Sequence, residues 1–160
     1  MTWRLSRADF DTGRGAGNRA AFRQRVQSGA PPGVLAYIRD EPVGWCAVAP
    51  RTEYGYLSRS RVLRPVDDRV VWSVSCLLVA KPHRRRGLSV LLLRAAVHMA
   101  GAAGAEIVEG YPVIPYAARM PAAFAWTGTL SAFRAAGFQE VGRGSPNRPI
   151  MRAYPGRPTR

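Results

Sequence analysis

The strongest hydrophobic pattern in the chain predicts a strand that leads through a turn into a helix. Residues 70–79, VVWSVSCLLV, form an almost continuous apolar and β-branched run, which is typical of a strand covered on both faces. After a basic turn, apolar residues recur at positions 88, 91, 92, 95, 96 and 99, the spacing of an amphipathic helix. Gly101 and Gly104 then predict the end of that helix.

The chain before this unit is predicted to hold one helix and one hairpin. Residues 1–15 are polar and are predicted to be irregular. A helix is expected over 18–27, with Asn18 as its N-cap. Two β-rich runs, 33–38 and 43–49, flank a polar turn and predict a β-hairpin.

The chain after the central helix predicts a strand, a helix and a second hairpin. The strand is expected over 105–111, and the helix begins at Thr127 and ends at a left-handed Gly137. The last two runs, 138–142 and 150–153, predict a terminal hairpin, whereas 50–69 is polar and irregular. This order predicts one α/β domain of the α+β type with a mixed sheet.

Length and composition favour one domain with its own core. The chain has 160 residues, of which 47% are hydrophobic. No apolar run is long enough to span a bilayer and the first residues carry no secretory signal, so we expect a cytoplasmic protein with no membrane partner. Cys46 and Cys76 stand alone in apolar runs, which predicts reduced thiols and no metal site.

The charge alone does not indicate a nucleic-acid ligand. Lys and Arg number 24 against 10 Asp and Glu, a formal net charge of +14. These basic residues are scattered from Arg4 to Arg160, and no RNA-binding motif, zinc finger or basic zipper accompanies them. We therefore do not expect nucleic acid as a partner, and the sequence is compatible with a homodimer.

The turn between the predicted strand and helix is suited to a pyrophosphate. The first N–H groups of a helix have no intrahelical partner and carry partial positive charge. Gly87 allows close approach, Ser89 keeps the first turn open, and Arg84, Arg85 and Arg86 add full charges. Neither a Walker loop nor a dinucleotide fingerprint is present.

At these residues the sequence resembles the GNAT (GCN5-related N-acetyltransferase) family. Its signature, Arg/Gln-x-x-Gly-x-Gly/Ala, corresponds here to residues 84–89, RRRGLS, with Ser89 in place of the last Gly or Ala. Phe133 to Phe138 is also similar to the family's aromatic-x-x-x-Gly-Phe near the end of its last helix. The resemblance covers residues 33–154, and the family's first strand is not evident before them.

The resemblance implies an acyl-CoA N-acyltransferase-like fold, a single domain over 1–160 with a centrally splayed mixed sheet flanked by helices. It implies acetyl-CoA as cosubstrate, lying between the diverging strands 70–79 and 105–111, with the first strand bonding to the pantetheine arm. The cofactor-binding residues implied are Leu77, Leu78, Val79, Arg84, Arg85, Arg86, Gly87, Leu88 and Ser89.

Catalytic residues are less well defined by the sequence. Acetyl transfer to an amine needs a neutral amine, a stabilised oxyanion and a proton for the thiolate. Glu109 is the best candidate base, and a structural hydrogen-bond partner is its alternative role. The position of the family's acid, a Tyr, is Phe133 by the resemblance, and Phe cannot donate a proton. Tyr111, Ser75 or Ser131 are candidate replacements, and unaided departure of the thiolate is the alternative.

The expected function is acetyl-CoA-dependent transfer of an acetyl group to a primary amine of a small molecule or peptide, in a ternary complex. A non-catalytic module that binds coenzyme A, a nucleotide or nucleic acid on the same fold is the alternative.

Overall fold

The computed structural model describes residues 1–115, 121 and 125–156. Residues 116–120, 122–124 and 157–160, which the single-domain prediction includes, lie outside the described part. The helices are α1 (Arg7–Thr12), α2 (Ala16–Gln27), α3 (Gly55–Arg59), α4 (Leu88–Ala102) and α5 (Leu130–Ala135). The strands are β1 (Gly33–Ile38), β2 (Glu41–Pro50), β3 (Trp72–Val79), β4 (Val108–Gly110), β5 (Gln139–Ser145) and β6 (Arg148–Ala153).

Within the described residues, six strands form one mixed sheet in the order β1-β2-β3-β4-β6-β5. β3 and β4 are parallel, and the other neighbours are antiparallel. Trp72–Val74 pairs with Val108–Gly110, and the two strands then part, so the second half of β3 lacks β4 as a neighbour. The centrally splayed mixed sheet expected from the sequence is therefore present.

A β-bulge changes the orientation of the backbone in the second half of β3. Ala47 on β2 is opposite Cys76, whereas the next residue, Val48, is opposite Val74, so Ser75 is an extra residue in β3. After the bulge, the Leu77 N–H points away from β2 and into the opening between β3 and β4.

Each face of the sheet carries its own apolar cluster. On one face α4 packs its buried side chains, among them Leu92, Leu93 and Ala96, against β1, β2 and β3. The opposite face is covered by the N-terminal segment and the region around α3, and its core contains Trp3, Tyr54, Leu57 and Tyr111.

The predicted elements occur in the predicted order, but α1 and α3 are additional helices and several boundaries differ. The prediction that 50–69 is irregular is wrong for α3, Gly55–Arg59, which buries Leu57. Residues 1–15 are not irregular throughout, because Ser6 caps α1 by accepting a hydrogen bond from the Asp9 N–H. Asn18 is not a cap: it lies inside α2, and its amide donates to the Phe10 carbonyl at 2.8 Å.

The later boundaries differ as well. β4 keeps only three residues of the strand predicted over 105–111. Helix α5 begins after Thr129, whose hydroxyl accepts from the Ala132 N–H, rather than at Thr127, which is buried and accepts from Arg148. Gly137, at φ +94°, ends α5 in the left-handed conformation as predicted.

In the part of the chain that the structure describes, no helix has the length and apolarity needed to cross a membrane.

Candidate active site

The turn from β3 into α4 aims backbone N–H groups at a cleft. Arg85 (φ +63°) and Gly87 (φ +77°) are both in the left-handed region, an alternation that makes an anion-binding concavity. No described side chain caps α4, so its first amides, those of Leu88 and Ser89, have no cap partner there. A Cβ at Gly87 would meet nothing within 4 Å, which shows that the space beside it is open.

This phosphate cleft has a volume of about 280 Å³ and separates the start of α4 from α5. The lining residues on the α5 side have small side chains. The residues that line it are Val79, His83, Arg84, Arg85, Gly87, Leu88, Ser89, Val90, Ser131, Ala132 and Ala135.

Polar groups at the cleft fit a phosphorylated ligand. His83 lines the cleft, and its buried Nδ1 atom has no hydrogen-bond partner among the described residues. Arg84 Nε donates to the Val79 carbonyl at 2.9 Å, which holds the Arg84 guanidinium at the end of β3. The residues present therefore fit the pyrophosphate of a coenzyme A-type molecule.

The opening between β3 and β4 is bridged by the segment 126–130. The Leu77 N–H donates to the Trp126 carbonyl at 2.7 Å. On the other side, the Val113 N–H donates to the Gly128 carbonyl at 2.9 Å, and the Leu130 N–H to the Val113 carbonyl at 3.3 Å. The segment thus lies where a bound ligand would pair with β3.

A second cleft, also of about 280 Å³, lies on the other side of this bridge. We call it the aromatic cleft, because five aromatic residues line it together with Ser75 and Cys76 of β3. Its lining residues are Met1, Thr2, Trp3, Arg4, Phe22, Pro32, Trp45, Ala47, Tyr54, Ser75, Cys76 and Trp126. The free half of β3 therefore has one cleft beyond Val79 and another beside Ser75.

Sequence comparison agrees with this geometry, since the model of the acetyltransferase (GNAT) family matches residues 2–115. The chain belongs to the GNAT family. It is therefore an acetyltransferase by family, as the sequence resemblance implies. The match begins ahead of residue 33, where the resemblance begins, and so includes α1 and α2.

Solved structures share the GNAT fold. One is yncA from Salmonella typhimurium, solved with its cofactor acetyl-CoA: TM-score 0.57, 15% identity, 94% of this chain and 85% of that chain covered. Another is the ribosomal-protein-alanine N-acetyltransferase from Brucella melitensis: TM-score 0.55, 16% identity, coverage 86% and 76%. None of the curated proteins matches this chain.

Most of the predicted cofactor-binding residues lie together, with three exceptions. Leu77 lines neither cleft, although its N–H points into the opening between β3 and β4. Val79, Arg84, Arg85 and the 87–89 stretch all line the phosphate cleft. Arg86 is exposed beside that cleft without lining it. Leu78 is paired with Trp45 of β2 and lines neither cleft.

Glu109 lies in a buried ionic network rather than at either cleft. It is fully buried, and its Oε1 atom accepts from Arg51 at 3.0 Å and from the Tyr111 hydroxyl at 2.7 Å. Its Oε2 atom accepts from Arg152 Nε at 2.8 Å. Ser73, Glu109 and Arg152 occupy one row across β3, β4 and β6, so the sheet register brings the network together.

Tyr111 belongs to the same network. It is fully buried, and its hydroxyl lies 2.9 Å from the Ser73 hydroxyl. Burial, followed by the charge of Glu109, raises the pKa of Tyr111 above that of a free phenol. Of the three candidate catalytic residues, Ser75 lines the aromatic cleft, whereas Glu109 and Tyr111 do not.

Phe133 fills the core beneath the bridging segment. It is fully buried and packs edge-on against Phe138, with ring centroids 4.8 Å apart. Its ring lies against both Gly110 of β4 and Gly128 of the bridging segment. The position that carries the acid in many family members is here a packing residue.

Sequence reasoning missed most of the aromatic cleft. Trp3 and Arg4 belong to a segment predicted to be irregular, and Phe22 lies in the helix predicted over 18–27. Tyr54, nearly fully buried, interacts with Arg4 and Ser75, and burial raises its pKa. Trp3 was an available signal, because a large aromatic side chain in a polar segment needs an apolar surface on which to pack.

Proposed function

We propose that this protein transfers the acetyl group of acetyl-CoA to a primary amine of a small molecule or peptide, within a ternary complex. The observation that carries the proposal is the pair of clefts flanking the free half of β3. One presents a helix N-terminus and arginines suited to a pyrophosphate, and the other presents a partly enclosed surface suited to an acceptor.

In this proposal the phosphate cleft holds the donor. The amides from Arg84 through Ser89 bind the pyrophosphate, Arg84 and Arg85 add charge, and His83 Nδ1 gains a partner. The main chain of Leu77 and Val79 pairs with the pantetheine arm as an added strand. For this pairing the Leu77 N–H must exchange its bond to the Trp126 carbonyl for one to the ligand.

Bound acetyl-CoA supplies a thioester carbonyl carbon for attack by the amine. The nitrogen–carbon bond forms, the carbon–sulfur bond breaks, and the proton lost by the amine is balanced by the one the thiolate gains, which leaves an amide and a free thiol. Ser75, at the floor of the aromatic cleft, is the residue we propose to touch the amine. Glu109 and Tyr111 have a positioning role in this proposal, because their hydrogen bonds hold together the paired ends of β3 and β4.

The test measures thermal unfolding with acetyl-CoA, followed by acetyl transfer across a panel of primary amines. A ligand at 100 times its Kd stabilises a protein by about 2.7 kcal/mol, which raises Tm by several degrees for a chain of this size. Such a shift together with release of free thiol only when an amine is present supports the proposal. A shift without transfer to any amine indicates a non-catalytic coenzyme A-binding module. A shift with plain DNA but not with acetyl-CoA would refute the proposed donor site.

A further inference from the structure

We propose that the acceptor of the aromatic cleft is a small amine that carries both an aromatic body and a carboxylate, as an aromatic amino acid does. The inference rests on the proposed function for the transfer step, but its central claim concerns binding to the free protein. Three features of the cleft carry it: its walls, its charge and its size.

The walls are rings that hold one another in place. Trp3 stacks on Tyr56 at a centroid distance of 5.1 Å and meets Trp126 edge-on at 5.3 Å. Phe22 from α2 meets Trp45 from β2 edge-on at 6.0 Å. Rings fixed from separate parts of the chain form a preorganised apolar slot, which favours a planar apolar ligand over a flexible polar one.

The charge at the rim of the cleft is unbalanced. Arg4 and Arg25 both form ion pairs with the same carboxylate, Glu53. Two guanidiniums therefore share one carboxylate, and Arg25 Nε is buried without a hydrogen-bond partner among the described residues. Arg4 itself lines the cleft, with its Nη2 atom 3.3 Å from the Tyr54 hydroxyl.

An excess guanidinium beside a partly enclosed apolar slot selects for an anion on the ligand. It also disfavours polycationic acceptors, because a second positive charge would be repelled where solvent screening is weak. A carboxylate on the acceptor would therefore lie at Arg4, its ring between the aromatic walls, and its amine toward Ser75 on β3.

The size of the cleft sets an upper limit on the acceptor. Its volume of about 280 Å³ is below the usual range for drug-sized ligands. A volume of this size fits a single amino acid.

The first experiment measures binding to the full chain by calorimetry without acetyl-CoA, so that the result does not depend on catalysis. L-phenylalanine is compared with phenethylamine, which lacks the carboxylate, with L-alanine, which lacks the ring, and with spermidine, a polycation. We expect L-phenylalanine to bind at least about tenfold more tightly than each of the other three. Equal or weaker binding of L-phenylalanine relative to phenethylamine would overturn the proposal.

Two substitutions that change the charge in opposite directions distinguish charge recognition from structural damage. Arg25→Gln leaves one positive charge, Arg4, against one negative charge, Glu53, so L-phenylalanine should bind several-fold more weakly. Glu53→Gln raises the excess positive charge, so L-phenylalanine should bind more tightly. The control is Arg23→Gln, an exposed position on α2 with the same change in net charge, which should leave the affinity unchanged. Weaker binding in both the Arg25 and Glu53 variants would overturn the charge argument.

The transfer assay then distinguishes the two proposals. If acetyl-CoA binds and other amines are acetylated while L-phenylalanine neither binds nor reacts, the acceptor inference is wrong and the proposed function stands. If L-phenylalanine binds as expected but acetyl-CoA does not, the proposed function fails and the ligand assignment stands.

Discussion

At the scale of single residues, both the start of α4 and the donor site depend on Gly87. Its left-handed φ of +77° starts α4, and the absence of a side chain leaves the helix amides accessible. Any other residue would cost conformational energy there and would also project into the phosphate cleft.

Gly87→Glu should therefore weaken donor binding strongly. The added carboxylate places bulk and negative charge where the pyrophosphate binds, and we expect Kd for coenzyme A to rise at least about tenfold, or about 1.4 kcal/mol. Calorimetric titration of the variant with coenzyme A measures this change in Kd.

Gly104→Glu is the matched control for that experiment. Gly104 follows the other end of α4, has φ +88°, and is equally open, because a Cβ at this position would meet nothing within 4 Å. Both variants thus carry the same backbone strain, and only the one at Gly87 should lose affinity. Equal losses in the two would assign the effect to strain rather than to the anion site.

The ionic partners of Glu109 show what sequence alone does not give at this scale. A carboxylate in an apolar strand was recognisable as exceptional, but Arg51 and Arg152 lie 58 and 43 residues away from it. Only the sheet register brings these charges together, because no local pattern relates them. The motif at 84–89 was readable because a helix N-terminus is a local structure with local rules.

At the scale of elements, the packing of α5 against β4 depends on one glycine. A Cβ at Gly110 would lie 2.0 Å from Phe133 Cε1 and 2.6 Å from Cζ, distances that real contacts do not show. Phe133 cannot retreat easily, since it is fully buried and packed against Phe138.

We expect Gly110→Ala to destabilise the protein by about 1–3 kcal/mol through overpacking, lowering Tm by several degrees. Gly17→Ala in α2 is the control, because a Cβ at Gly17 would meet nothing within 4 Å. Since alanine favours a helix, the stability of this variant should be unchanged or up to about 1 kcal/mol greater. Thermal unfolding of both variants decides it, and an unchanged Tm for Gly110→Ala would contradict the packing argument.

Elements with a strong period were predictable, and those set by tertiary contacts were not. The repeat of apolar positions predicted the start of α4 and nearly its end, and the two β-rich runs around a polar turn predicted β1 and β2. β4 is shorter than the predicted strand at both ends: residues 105–107 precede it, and after Gly110 the chain pairs through Val113 with the segment 126–130. That pairing joins residues far apart in sequence and left no periodic signal.

At the scale of the whole molecule, an ion pair outside the clefts ties the region before β3 to the far side of the sheet. Arg152 donates to both oxygens of Asp67, at 2.6 and 2.9 Å, while its Nε atom bonds to Glu109. The hydrogen bonds from Arg152 lower the pKa of Asp67 from 3.8 to about 2.

This lowered pKa makes stability depend on pH in the acid range. A carboxylate whose pKa is lower in the folded state stabilises it above pH 4, and this stabilisation is lost as the pH falls from about 4 to 2. Asp67→Asn should therefore be less stable than the parent at neutral pH, and its free energy of unfolding should fall less than that of the parent between about pH 4 and 2. Asp68→Asn, at the exposed neighbour, should follow the parent curve in chemical unfolding at a series of pH values.

The bridge between Leu77 and Trp126 has a consequence for how the two substrates affect each other. Trp126 supplies the carbonyl that occupies the Leu77 N–H and also the ring that closes the aromatic cleft. An acceptor packed on that ring holds the bridge in place, whereas a donor paired with Leu77 must open it. The two affinities should thus be antagonistic by the same factor in both directions. Excess acceptor should then inhibit the steady-state rate, and it should raise the apparent KM for acetyl-CoA.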